Sequence, residues 1–201
     1  ILNEISIREL GCMFNHNIQS VRNYLTIERN GNGSNLTIQT LDGIMCHNGE
    51  MPLNIYEPST KTKEEFIKEY EECYTDKETL KKIRPMTLEG CVVRISDIIG
   101  YIGRDIEDAI SIGVLKREDV PDNIKKVLGT TNKEIVNTII LDIVSNSINK
   151  PYIKLSDQVF KAIFDLKAFN YKYIYSKANT KEQLEYYKNG MNLLFSKYLS
   201  D

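Results

Sequence analysis

The chain has 201 residues, 41% hydrophobic and 27% charged, with a net charge of −2 at pH 7. That is ordinary globular composition, long enough for one domain or two small ones and for a sizeable core. So small a net charge gives no support for a general nucleic-acid binder or a membrane-surface protein. No apolar run approaches the roughly 18 residues of a transmembrane helix.

The chain begins "ILNEISIREL" without a methionine. Processing and missing upstream residues are both open on that point, and no secretory signal is visible. A helix is predicted over residues 16–29, closed by the Gly/Asn turn "NGNGSN", and another over 35–46. Residues 47–62 hold two prolines and little periodicity and read as a loop. A capping box, Thr62 with Glu65, opens a charged helix over 62–74. A short helix follows at 77–83, and Pro85 and Thr87 set the start of a long helix over 87–112. Within it "GCVVRI" is β-branched and strand-like, but the apolar spacing continues through Ile110 and favours a helix of about twenty-five residues. Gly113, Pro121 and Gly129 punctuate a connector. A second capping box, Thr131 with Glu134, precedes Ile135, Val136, Ile139, Ile140, Ile143 and Val144, the ladder of a core-facing helix. It stops before Lys150-Pro151. The last two helices are predicted over 155–177 and 180–199, the second opened by Thr180 with Gln183. The expectation is an all-α multi-helix bundle without significant sheet.

The four cysteines, Cys12, Cys46, Cys73 and Cys91, are widely spaced and form no Cys-x-x-Cys pair. Reduced thiols in a cytoplasmic protein are the expected state.

On the long helix, Ile95, Ile98, Ile99, Ile102, Ile106 and Ile110 fall on one arc at about 100° per residue. Asp97, Tyr101, Asp105 and Asp108 fall on the opposite arc, with Arg94 and Arg104 at its edges. Gly100 and Gly103 sit between the arcs. Each weakens an isolated helix by roughly 1 kcal/mol, a cost that close approach of a neighbouring helix or a ligand would explain. A solvated polar face is one reading, with Arg–Asp pairs of ~0.2–0.5 kcal/mol each. A ligand-facing stripe is the other. It has no lysine, and a tyrosine lies between two carboxylates, as for a metal, a ring and a hydroxyl.

Only His16 and His47 are present, with no His-x-x-x-His or His-Asp pair. His47 reads as structural, at a helix end. His16 lies near a helix start beside Asn15, Asn17, Gln19 and Arg22, an environment that suits phosphate. Arg22 and Arg104 read as surface pairs before phosphate or interface residues.

Three stretches, "FNHNIQS", "GSNLTIQTLDGIMCHNGE" and "TLEGCVVRISDIIGYIGRDIEDA", together resemble the bacterial deoxyguanosine triphosphate triphosphohydrolases of the HD-domain phosphohydrolase superfamily. The later "YIKLSDQVFKAIFDLKAFNYKYIY" is similar to that family's C-terminal helical region, so the resemblance covers roughly residues 10–175. It implies an HD-like bundle and hydrolysis of a deoxynucleoside triphosphate, dGTP foremost, to deoxynucleoside and triphosphate. Within the 201 residues it implies one helical domain, or part of one, with 1–112 in the HD-like core and 113–201 as C-terminal helices.

By that resemblance Asp97 matches the last ligand of a divalent metal (Mn, Mg or Fe), Tyr101 the tyrosine under the deoxyribose, and Asp105 the acceptor of the 3′-hydroxyl. His16 matches a histidine beside the triphosphate, able to hydrogen-bond it or relay a proton. The family's first His, its His-Asp pair and its "GHxPFGHxGE"-type segment have no match here and lie upstream in the family. The expectation is therefore the C-terminal part of a longer enzyme, inactive alone. A homo-oligomer is implied; nucleic acid is unsupported and no membrane is expected. The rival readings are an HD-superfamily phosphohydrolase acting on another nucleotide and a non-catalytic helical interaction module.

Overall fold

A computed structural model describes residues 1–48, 52–177 and 179–200. The part of the predicted 47–62 loop at residues 49–51 lies outside them. In chain order the helices are α1 (Leu2–Leu10), α2 (His16–Arg22), a short α3 (Glu28–Gly31), α4 (Ile38–Cys46), α5 (Lys63–Glu72), α6 (Lys77–Lys82), α7 (Leu88–Ile102), α8 (Arg104–Ser111), α9 (Asp122–Leu128), α10 (Asn132–Ser147), α11 (Asp157–Tyr173) and α12 (Lys181–Ser200). The all-α expectation holds. Among the described residues the only sheet is a two-stranded ladder, and no helix is long and apolar enough to cross a membrane. The chain divides into two compact units. The first comprises Ile1–Met45, Lys61–Ile83 and Asn179–Asp201, and the second Cys46–Thr60 and Arg84–Ala178.

In the first unit, Ile5, Ile18, Val21, Leu41, Met45, Phe66 and Cys73 are buried. α1 was not expected from its sequence. It ends at Gly11, which takes a left-handed φ of 67° and donates its N–H to Ile7 O. Asn17 is buried and donates to Met45 O at 2.6 Å, tying the start of α2 to the end of α4. Lys61 reaches Asp42 at 2.7 Å and Glu69 at 2.5 Å in a largely buried ion-pair cluster. The predicted capping boxes at Thr62 and Thr180 both form. Thr62 Oγ1 accepts from Glu65 N at 3.2 Å, and Thr180 Oγ1 accepts from Gln183 N at 3.2 Å.

The second unit is built around α7. Cys91, Ile95, Ile98, Ile99, Ile102 and Ile106 pack with Ile135 and Ile139 of α10 and with Ile163, Leu166 and Phe169 of α11. "GCVVRI" is helical, as the spacing indicated. The connector after Gly113 holds α9, which was not predicted and which buries Ile124 and Leu128. The strands, β1 (Ile55–Tyr56) and β2 (Ile153–Lys154), pair antiparallel in the register Ile55↔Lys154 and Tyr56↔Ile153. Residues so few and so far apart leave no local signal for such a ladder.

Two expectations need correction. The ladder on α10 is only half core-facing. Ile135 and Ile139 are buried, but Ile140 and Val144 are about half exposed and line a 390 Å³ apolar groove with Val92 and Ile148. The predicted helix over 87–112 is also divided, at Gly103. Asn170 Nδ2 donates to the carbonyl of Ile102 at 2.9 Å. Glu107 binds both Asn132 N, at 3.1 Å, and Arg117, at 2.7 Å. α10 therefore begins hard against the junction. A Cβ on Gly103 would lie 2.6 Å from Asn132 Oδ1 and 3.3 Å from its Cα, so close helix approach explains this glycine. At Gly100 a Cβ would meet nothing within 4 Å among the described residues.

Candidate functional site

The apolar arc of α7 and α8 sets the orientation of the polar one. Ile95, Ile98, Ile102 and Ile106 are each at most 3% exposed, so the face carrying Asp97, Tyr101 and Asp105 turns outward. Gly103 keeps a helical φ and ψ of −86° and −30°, so the stripe carries across the junction without losing its register. Asp97 is exposed, and Tyr101 and Asp105 are half-buried.

Tyr101 packs its ring against the core, and both Asp97 and Asp105 act electrostatically on its phenol. Burial, then Asp97, then Asp105 push its pKa above the ordinary tyrosine value, so it stays a neutral hydrogen-bonding group at physiological pH. The Lys167 ammonium of α11 sits 5.7 Å from the centroid of the Tyr101 ring, at cation–π distance. The Tyr175 phenol donates to Asp105 Oδ2. Burial first, and that bond second, raise the Tyr175 pKa, so the phenol keeps its proton at physiological pH.

Other residues singled out in the sequence separate from this group. Asp108 pairs with Arg104 at 3.0 Å, both exposed, the surface pair expected of them. Arg94 is not at the edge of a solvated face. It is 6% exposed and donates to Cys46 O at 3.3 Å, and burial, then Arg84, lowers its pKa. His47 is half-buried just beyond α4. His16 opens α2 in the first unit, where its side chain is exposed. The structure thus brings Asp97, Tyr101 and Asp105 together on the second unit, with His16 on the first.

Among the described residues no three His, Cys, Asp or Glu side chains gather as a metal site. Asp97 alone is one carboxylate and does not make a metal centre. The sequence reading passed over Lys167 and Tyr175. Tyr175 stands 70 residues from its partner, past the end of α11. The only local sign was the alternation of aromatics at Tyr171, Tyr173 and Tyr175, which does not keep a helical period.

The chain is similar to several curated proteins named deoxyguanosinetriphosphate triphosphohydrolase-like. It is 34% identical over 182 residues to one from Caldanaerobacter subterraneus subsp. tengcongensis, covering 90% of this chain and 44% of that protein. It is 36% identical over 167 residues to one from Clostridium perfringens, covering 81% and 41%. It is 30% identical over 195 residues to one from Clostridium tetani, covering 94% and 48%. The chain therefore spans less than half the length of these relatives. No family model matches it, and no solved structure matches it significantly.

Proposed function

Because the chain belongs to the deoxyguanosinetriphosphate triphosphohydrolase-like family, we propose that it is the sugar-holding part of a deoxynucleoside triphosphate triphosphohydrolase. The enzyme would convert a dNTP, dGTP foremost, to the deoxynucleoside and inorganic triphosphate. The observation that carries this reading is the Asp97–Tyr101–Asp105 stripe, with a half-buried aromatic ring between two carboxylates on a rigid, core-anchored helix face.

Each residue then has a task its chemistry suits. The Tyr101 ring supports the apolar face of the deoxyribose and leaves little room for a 2′-hydroxyl. Asp105 accepts from the 3′-hydroxyl and fixes the sugar's orientation. Asp97 offers a hard oxygen ligand of the kind Mn, Mg or Fe accepts. The other ligands of that metal would come from outside the described residues, and the chain alone is expected to be inactive. His16 keeps the proposed role of hydrogen-bonding the triphosphate.

The test is Tyr101→Ala in the full-length enzyme. The ratio of kcat/KM for a dNTP to that for the matching NTP is expected to fall roughly tenfold, because the steric and stacking difference between the sugars is lost. An unchanged ratio would refute the sugar role.

A further inference from the structure

We infer that Tyr175 is a positioning residue for the sugar site, holding the Asp105 carboxylate so that its free oxygen meets the 3′-hydroxyl. The inference rests on the triphosphohydrolase reading and names a residue that reading does not contain.

The argument begins with the rotor. The terminal torsion of an aspartate is broad and roughly two-fold, so an unrestrained Asp105 would present either oxygen over a wide range of angles. Here Oδ2 is taken by the Tyr175 hydroxyl. Among the described residues no hydrogen bond reaches Oδ1. A charge-assisted O–H···O⁻ bond is among the stronger ones a neutral donor makes, and it fixes the plane of the acceptor.

Tyr175 can serve as a fixed point because its own place is determined from several sides. α11 ends at Tyr173, and Tyr173 and Ile174 pack on the core of the unit. The chain then tightens into a single turn, with Lys177 N donating to Ile174 O at 3.0 Å. The Tyr175 ring meets Tyr171 edge-on at 6.4 Å. One turn earlier, Asn170 is 1% exposed and ties α11 to the carbonyl of Ile102, one residue before the α7–α8 junction. The two polar links, Asn170 to Ile102 and Tyr175 to Asp105, clamp the end of α11 onto the helix that carries the stripe. The ring is 39% exposed, so the hydroxyl acts at the surface where a ligand would sit. Ordering Asp105 before substrate arrives removes a cost that binding would otherwise carry.

The experiment is Tyr175→Phe in the full-length enzyme, assayed with a dNTP and with its 2′,3′-dideoxy analogue. The variant keeps the ring and removes only the donor. KM for the dNTP is expected to rise about tenfold, with KM for the dideoxy analogue unchanged, since that analogue has no 3′-hydroxyl for Asp105 to accept. Equal losses on both substrates, or no loss on either, would overturn the inference. A second arm uses Asp105→Ala as background. There Tyr175→Phe is expected to add nothing, and a further separate loss would show that Tyr175 acts elsewhere. The wild-type enzyme separates the two readings. If it does not distinguish the dNTP from its dideoxy analogue, the sugar assignment of Asp105 itself fails. If it distinguishes them and Tyr175→Phe does not reduce the difference, only the role of Tyr175 fails.

Discussion

Replacing Asp105 by alanine in the full-length enzyme is expected to lower kcat/KM for a dNTP about 100-fold while leaving the bound metal per protomer unchanged. The magnitude is that of losing a hydrogen bond to a charged acceptor, roughly 1.5–3 kcal/mol, as the proposed sugar role of Asp105 requires. The separation of the two effects follows from position. Asp105 is eight residues from Asp97 along the stripe, two helical turns away, and its bond is to Tyr175 rather than to any cluster of metal-type ligands. Stability should change little, because both Asp105 and Tyr175 are partly open to water and the phenol can exchange its acceptor for solvent. Steady-state kinetics with elemental analysis of the purified protein decides it. Parallel loss of turnover and of metal would mean that Asp105 belongs to the metal centre and not to the sugar.

The largest expected effect on folding is at Gly129. Changing it to alanine should destabilise the second unit by about 3 kcal/mol, read as a lower urea midpoint with an unchanged slope. Gly129 has φ 104° and ψ −177°, backbone that only glycine adopts readily, and strain there costs on the order of 1–3 kcal/mol. A Cβ would also lie 2.4 Å from the Cβ of Glu134, a contact that no side-chain rotation relieves. Glu134 is the capping-box partner of Thr131, the N-cap of α10. Its carboxylate accepts from Thr130 N at 2.7 Å and Thr131 N at 3.1 Å, so displacing it also weakens a cap of about 1 kcal/mol. Gly190→Ala is the matched control. It lies within α12 with nothing near a new Cβ, so alanine there should be neutral or stabilising by up to about 1 kcal/mol. A loss at Gly129 no larger than that at Gly190 would refute the account.

The local signals in the sequence were strong where one helix end explains itself. All three capping boxes, at Thr62, Thr131 and Thr180, form between the residues that suggested them. The isoleucine arc from Ile95 to Ile106 is buried, and the stripe opposite it faces out. The same periodicity could not show that the helix divides at Gly103, because the cause is distant, namely Asn170 on Ile102 and the start of α10 against the glycine. Nor could it show that Arg94 turns inward to Cys46, or that Lys61 is buried between Asp42 and Glu69. Charge alone suggested solvent for each of them, and partners far along the chain overrode it.

By itself, then, the sequence determined the helical class, the caps and the pairing of a buried arc with the Asp97–Tyr101–Asp105 stripe, since each depends on side chains within a turn or two of one another. It also carried the stretches that resemble the family. Only the tertiary structure decided which edge of the stripe is tethered. It brings Lys167 to the Tyr101 ring, ties Tyr175 to Asp105, and packs α10 against Gly103. The physical reason is range: helix periodicity reports which side of a helix is apolar, whereas a hydrogen bond spanning 70 residues exists only once the core has packed the two helices together.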